Sequence, residues 1–329
     1  MQSPDNLDPD IRRFIESVQA GWARHPPLAS VGMAQARAIA ERVRAPWAAG
    51  GPVMAQVDDI AVPHGGGTVR VRLHTPASAA ATGPVLAYLH GGGWTLFSIV
   101  THDRLMREYA DRTGFRVAGI DYSLSPEARF PCALDETAAV IDWLRDQGEW
   151  LGIAPGRIAV GGDSAGANLA LSAAIDRRDA GEAGLIKALL LNYGAYDDRC
   201  DRPSHHRYDG APYMLGSDEM RGFWRNYLGG GDPAPARAAP IRAALGALPP
   251  SFLCVAECDV LRDENLDMAR RLEEAGTRVQ CAVHPGASHS FLEAISTSAL
   301  AERAVDQAAR WLRQTLEGHL SSPAGGAPA

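Results

Sequence analysis

No apolar run in the 329-residue chain approaches the roughly 20 residues that a bilayer-spanning helix needs, so a membrane-spanning helical class is excluded. The first residues, Met1 to Asp5, carry neither a basic n-region nor an apolar h-region, which predicts no secretory signal and a cytoplasmic location. Cysteine is scarce: Cys132, Cys200, Cys254, Cys258 and Cys281 are an odd set of 5 without CxxC spacing, which favours a reducing compartment and packing roles. Excess positive charge is also missing. A net charge of −7 argues against a nucleic-acid partner. Cys200, His205 and His206 lie close together but lack zinc-ligand spacing, so no metal is expected. No internal repeat is visible.

What remains is the composition of an ordinary globular protein, 46% hydrophobic and 22% charged, at a length suited to one large α/β domain with insertions. Residues 1–50 read as helical. Asp8-Pro9-Asp10 is a helix start, followed by Ile11, Phe14, Ile15 and Val18 at helical spacing, and a second helix is expected over 33–43. Both are amphipathic, and each must bury a face on the main domain or over a site mouth. Segments 56–62 and 68–74 flank three glycines and read as a hairpin. Short apolar runs at 85–89, 117–120, 157–160, 188–191, 251–256 and 279–283 then alternate with helical segments. That rhythm predicts a mostly parallel sheet covered on both faces. A final amphipathic helix places Leu300, Ala304, Ala308, Trp311 and Leu312 on one side. The expected division is a helical cap segment at 1–50, core at 51–195, a cap insertion at 196–242, core again at 243–318, and a disordered Pro/Gly/Ala-rich tail at 319–329.

Gly162-Asp163-Ser164-Ala165-Gly166 sits between an expected strand and an expected helix, the context in which Gly-x-Ser-x-Gly forms a nucleophile elbow. Gly162 and Gly166 are required there because a Cβ at either would crowd the turn. A serine hydroxyl is a poor nucleophile at neutral pH and needs a base with an oriented partner. The loop after 251–256 offers Glu257, Asp259 and Asp263 as the orienting acid. The loop after 279–283 offers His289 as the base, with His284 placed on or near the strand as a packed histidine. Both loops leave the carboxyl edge of the sheet, where the elbow also points. After the 85–89 strand, His90-Gly91-Gly92-Gly93-Trp94 can bring the Gly92 and Gly93 amides, with that of Ala165, to a developing oxyanion. His90 reads as an anchor for that loop, Glu127 as a supporting partner and Asp163 as a brace for the elbow. Trp94, Tyr213, Trp224 and Tyr227 are candidates for a substrate pocket.

Together with Asp121-Tyr122-Ser123-Leu124-Ser125-Pro126-Glu127, Asp259-Val260-Leu261-Arg262-Asp263 and His289-Ser290-Phe291, these motifs resemble the signature series of the hormone-sensitive lipase family of esterases, and the chain end is similar to its bacterial acetyl esterase branch. The likeness runs over about residues 55–316. It implies an α/β-hydrolase fold, a cap over the site, and hydrolysis of short-chain acyl esters without a cofactor. It also favours Asp259 as the acid, leaving Asp263 to cap the following helix. The family often has Gly where Ala167 and Ser290 stand and Arg and Ala where Ser123 and Ser125 stand, so Ala167 and Ser290 are expected to narrow the pocket. A related amide, lactone or carbamate hydrolase would use the same groups, whereas a non-catalytic homologue should have lost part of the triad. A homodimer is a base-rate expectation only.

Overall fold

The computed structural model describes residues 6–65, 67–230 and 233–318. The strands are β1 (Gln56–His64), β2 (Gly67–Thr75), β3 (Gly83–Leu89), β4 (Arg116–Asp121), β5 (Ile153–Asp163), β6 (Ile186–Asn192), β7 (Ser251–Cys258) and β8 (Val279–Ser288). They form one eight-stranded sheet in the order β1-β2-β4-β3-β5-β6-β7-β8. β2 pairs antiparallel with β1 and β4, and the neighbours from β4 through β8 are parallel. The opening hairpin and the parallel remainder match the strand rhythm of the sequence. β8 runs five residues past the expected end at 283, because Ser288 still pairs with Cys258 of β7 after a register shift.

The helices are α1 (Pro9–Trp22), α2 (Met33–Ala48), α3 (Asp103–Thr113), α4 (Cys132–Gln147), α5 (Ala165–Asp179), α6 (Pro203–Arg207), α7 (Ser217–Leu228), α8 (Arg262–Glu274) and α9 (Ala299–Glu317). The period-two alternation of β3 shows why both sheet faces must be covered. Val85, Ala87 and Leu89 join a core with residues of α4, α5 and α8, while Leu86 and Tyr88 join one with residues of α1, α3 and α9. The apolar stripe of α9 is buried as its spacing predicts, and Trp311 lies 5.6 Å from Phe252 of β7.

The two N-terminal helices do both of the things their amphipathicity allowed. Asp8 caps α1, accepting from the Asp10 and Ile11 amides at 2.9 and 3.3 Å. Ile11, Phe14, Ile15 and Val18 then bury their side chains in the main core. Each such burial contributes on the order of 2 kcal/mol. Yet Gln19 and Trp22 of α1 and Met33, Ala36 and Arg44 of α2 line the cavity described below. α2 continues past the expected end at 43 to Ala48, its last turn held by Trp47 packed edge-on against Phe14 at 4.7 Å. The insertion at 196–242 carries α6 and α7. The tail at 319–329 lies outside the described residues.

Among the described residues all five cysteines are free. Cys200, Cys254 and Cys258 are buried as expected, but Cys281 is exposed: it sits on β8, the edge strand of the sheet. No helix among them is long and apolar enough to cross a membrane.

Candidate active site

β5 ends at Asp163, α5 begins at Ala165, and Ser164 alone makes the turn, at φ 54° and ψ −117°. Such a conformation costs a non-glycine residue about 1–3 kcal/mol and persists only when its surroundings hold it. They do so here by hydrogen bonds and by tight packing. The Ser164 amide donates to the Asn192 carbonyl at 2.9 Å. A Cβ on Gly162 or on Gly166 would collide with the Leu89 carbonyl of neighbouring β3, so the requirement for glycine at both positions is a matter of space.

Three separate chain segments then meet. The end of β8 brings His289, and the turn after β7 brings Asp259. His289 Nε2 lies 3.1 Å from Ser164 Oγ, and His289 Nδ1 lies 2.8 Å from Asp259 Oδ2. The other Asp259 oxygen accepts from the Leu261 amide at 3.0 Å, which fixes the carboxylate plane. All three residues are buried. Burial by itself would lower the His289 pKa, but the Asp259 charge and hydrogen bond, helped by Asp163 and Glu219, outweigh it and raise the value above normal. Such an arrangement can take a proton from the serine at Nε2 while the carboxylate stabilises the resulting imidazolium.

The alternative acids are engaged elsewhere. Glu257 accepts from the Gly286 amide at 2.9 Å. Asp263 does not cap its own helix; it accepts from the Ser204 amide at 2.9 Å in the first turn of α6, because the insertion returns over the start of α8. His284 is buried against Phe291, and loss of hydration lowers its pKa to about 4.

The glycine loop after β3 passes beside the elbow. Gly92 (φ 114°) and Gly93 (φ 60°) occupy left-handed backbone, and a Cβ would strike the Leu96 carbonyl in one case and the Phe223 ring in the other. Among the described residues the amides of Gly92, Gly93 and Ala165 donate to no protein acceptor. The loop is tied to the elbow by Asp163. One Asp163 oxygen accepts from Tyr88 Oη at 2.9 Å and from the Gly91 amide at 3.1 Å, and the other faces His102 Nε2 at 3.3 Å. Burial would raise the Asp163 pKa, yet the His102 charge and the hydrogen bonds from His102 and Tyr88 hold it below normal. His90 is an anchor, as its place in the motif suggests. It stacks on Tyr122 at 4.3 Å, and burial keeps it neutral with a pKa of about 3. Glu127 pairs with Arg37 of α2, whose guanidinium also donates to the Thr95 and Ser125 carbonyls at 2.9 Å each. The glycine loop is therefore held from the N-terminal helix as well.

Ser164 and His289 open into a cavity of about 700 Å³ roofed by α1, α2 and α7. None of the four aromatic pocket candidates lines it. Trp94 stacks on Tyr227 at 4.3 Å and packs on Trp224 at 4.5 Å, all three buried, and Tyr213 packs on Tyr208. Helical periodicity explains the difference: Glu219, Gly222, Phe223 and Asn226 turn one face of α7 to the cavity, while Trp224 and Tyr227 lie on the core face. Of the two family departures beside the triad, Ser290 lines the cavity, whereas Ala167 is wholly buried in the core because its Cβ lies on the inner face of α5. Arg37, His102, Glu219 and Phe223 were not singled out from the sequence, since no local motif marks them. Among the described residues no cluster of His, Cys, Asp and Glu could hold a metal ion; His205 is buried against Ser217 and Glu264.

Comparison with known proteins agrees with this geometry. A family model described as the alpha/beta hydrolase fold matches residues 86–293. The ethyl acetate hydrolase of Pseudomonas putida is 33% identical over 87% of this chain and 92% of its own length. The acetyl esterase of Salmonella schwarzengrund is 35% identical over 80% of this chain and 82% of its own. Among solved structures, a hyperthermophilic esterase from the archaeon Pyrobaculum calidifontis superposes with a TM-score of 0.88 at 33% identity, covering 94% of this chain and 98% of its own. The chain therefore belongs to the α/β-hydrolase family, among its hormone-sensitive-lipase-like esterases.

Proposed function

We propose that this carboxylic ester hydrolase is a serine carboxylesterase for short-chain acyl esters, working through a Ser164–His289–Asp259 triad. The observation that carries the reading is the continuous path from Ser164 Oγ through both nitrogens of His289 to Asp259 Oδ2, with spans of 3.1 and 2.8 Å, at the floor of one cavity. His289 Nε2 takes the Ser164 proton as Oγ bonds to the ester carbonyl carbon. Asp259 holds the imidazole in the tautomer that leaves Nε2 free and stabilises the cation. The amides of Gly92, Gly93 and Ala165 receive the oxyanion, and loss of one such donor typically costs about a hundredfold to a thousandfold in rate. His289 returns the proton to the departing alcohol; it then takes one from the water whose oxygen bonds to the acyl carbon, and passes it to Ser164 Oγ as the Oγ–acyl bond breaks and the acid leaves.

Support for a short acyl group comes from the names of the relatives, an acetyl esterase and an ethyl acetate hydrolase. The N-terminal helices and the 196–242 insertion act in this reading as the cap that shields the acyl-enzyme. The test is hydrolysis of p-nitrophenyl acetate, butyrate and longer esters by the wild type and Ser164→Ala. Activity in the wild type that falls by three or more orders of magnitude in the variant, with a preference for the shorter esters, is expected. Equal activity in the two proteins would remove Ser164 from the mechanism, and a preference for long chains would overturn the short-acyl assignment.

A further inference from the structure

The cavity wall is largely apolar, with Trp22, Leu28, Phe97, Met214 and Phe223 among its side chains. Apart from His289, two ionisable side chains among the described residues reach it, Arg44 and Glu219. Arg44 is already engaged. It forms a buried ion pair with Glu293 at 3.1 Å, and its guanidinium lies 5.0 Å over the Phe97 ring. Glu219 has no cation partner among the described residues. Its carboxylate accepts a hydrogen bond from the Gly216 backbone amide at the start of α7, and the charges of His289 and Arg44 act on it from a distance. Its side chain is exposed to the cavity, yet enough protein surrounds it that loss of hydration raises its pKa. A carboxylate so placed lacks a protein cation of its own among the described residues, in a chamber also lined by the aromatic side chains of Trp22 and Phe223. A ligand that supplies an ammonium group on a small apolar body satisfies both features, because the carboxylate attracts the charge and the rings accept it.

We propose that Glu219 is a specificity-determining residue that selects esters bearing an ammonium group close to the ester bond over neutral esters of the same shape. The proposal rests on the esterase reading and deepens it. An acid in the first turn of α7 also favours the helix dipole, a purely structural role that would shift thermal stability without discriminating between substrates by charge. The two roles are separated by a matched pair of substrates, acetylcholine and its uncharged isostere 3,3-dimethylbutyl acetate.

The ratio of kcat/KM for acetylcholine to that for 3,3-dimethylbutyl acetate is expected to exceed one in the wild type and to fall about tenfold in Glu219→Gln, the order expected for one charge contact in a partly hydrated chamber. A ratio that is the same in both proteins would overturn the proposal. Turnover of p-nitrophenyl acetate by the wild type, measured in parallel, reports on the triad alone, so failure of the esterase reading and failure of the Glu219 assignment give different results. Should the variant not fold, the wild type carries the test by itself. Choline is then expected to inhibit p-nitrophenyl acetate hydrolysis about tenfold more strongly than 3,3-dimethylbutanol, and equal inhibition by the two would refute the charge selection.

Discussion

Asp163→Asn is the substitution that most directly tests how the glycine loop and the elbow are held together. The side chain keeps its shape, and its Oδ1 can still accept from Tyr88 and the Gly91 amide. What it loses is charge. Two hydrogen bonds to an ionised acceptor become bonds to a neutral one, costing about 1 kcal/mol each. His102, whose pKa the Asp163 charge raises against the opposing pull of burial, loses its counter-ion and must give up its proton, which adds about 1 kcal/mol. A total near 3 kcal/mol is expected from urea denaturation of wild type and variant at pH 5.5. The pH dependence follows from the two directions of shift. Asp163 is depressed, so its stabilisation is present above the ordinary aspartate value of about 3.9 and is lost as pH falls through the lower folded value. His102 is raised, so its share is complete below the ordinary histidine value of about 6.5 and is lost as pH rises through the higher folded value. The difference between wild type and variant is thus widest between about pH 4 and 6.5 and narrows in alkali. A gap under about 1 kcal/mol at pH 5.5, or one that widens with pH, would refute the argument.

Gly166→Ala places a methyl group against the Leu89 carbonyl, an immovable backbone atom, and is expected to cost at least about 3 kcal/mol in unfolding free energy or to abolish soluble expression; a wild-type denaturation midpoint would contradict the spatial account of the elbow. For activity, His289 must be neutral to accept the serine proton, and its pKa is raised. The groups that set it are Asp259, Asp163 and Glu219, which raise it, and burial, which lowers it. The acid limb of kcat/KM for a neutral ester is therefore expected to have its midpoint above about 6.5, and a midpoint below that value would mean that burial wins.

The reach of the sequence can be seen residue by residue. The order of strands and helices, the elbow at Ser164, the glycine loop and the stripe of α9 are all written in short-range patterns, because glycine requirements and periodic burial act over a few neighbouring residues. The histidine and the acid were legible as loop residues following strands. Their resemblance to a known motif series narrowed the acid to Asp259, since spacing by itself left Glu257 and Asp263 open. Aromatic side chains misled the pocket reading because a hydrophobic residue on a cap helix looks the same in sequence whether it faces the ligand or the core; Trp224 and Phe223 are adjacent yet point to different places.

The local turn chemistry and the alternating rhythm of buried segments were thus determined by the sequence itself, since they depend on sterics and hydrophobicity within a few residues. Only the tertiary structure decided that α1 and α2 serve both the core and the cavity roof, that Arg37 and Asp163 tie the glycine loop down from two sides, and that Glu219 faces the chamber without a cation partner among the described residues. Those contacts join residues up to hundreds of positions apart, and their energies depend on burial and distance, which exist only once the chain has folded.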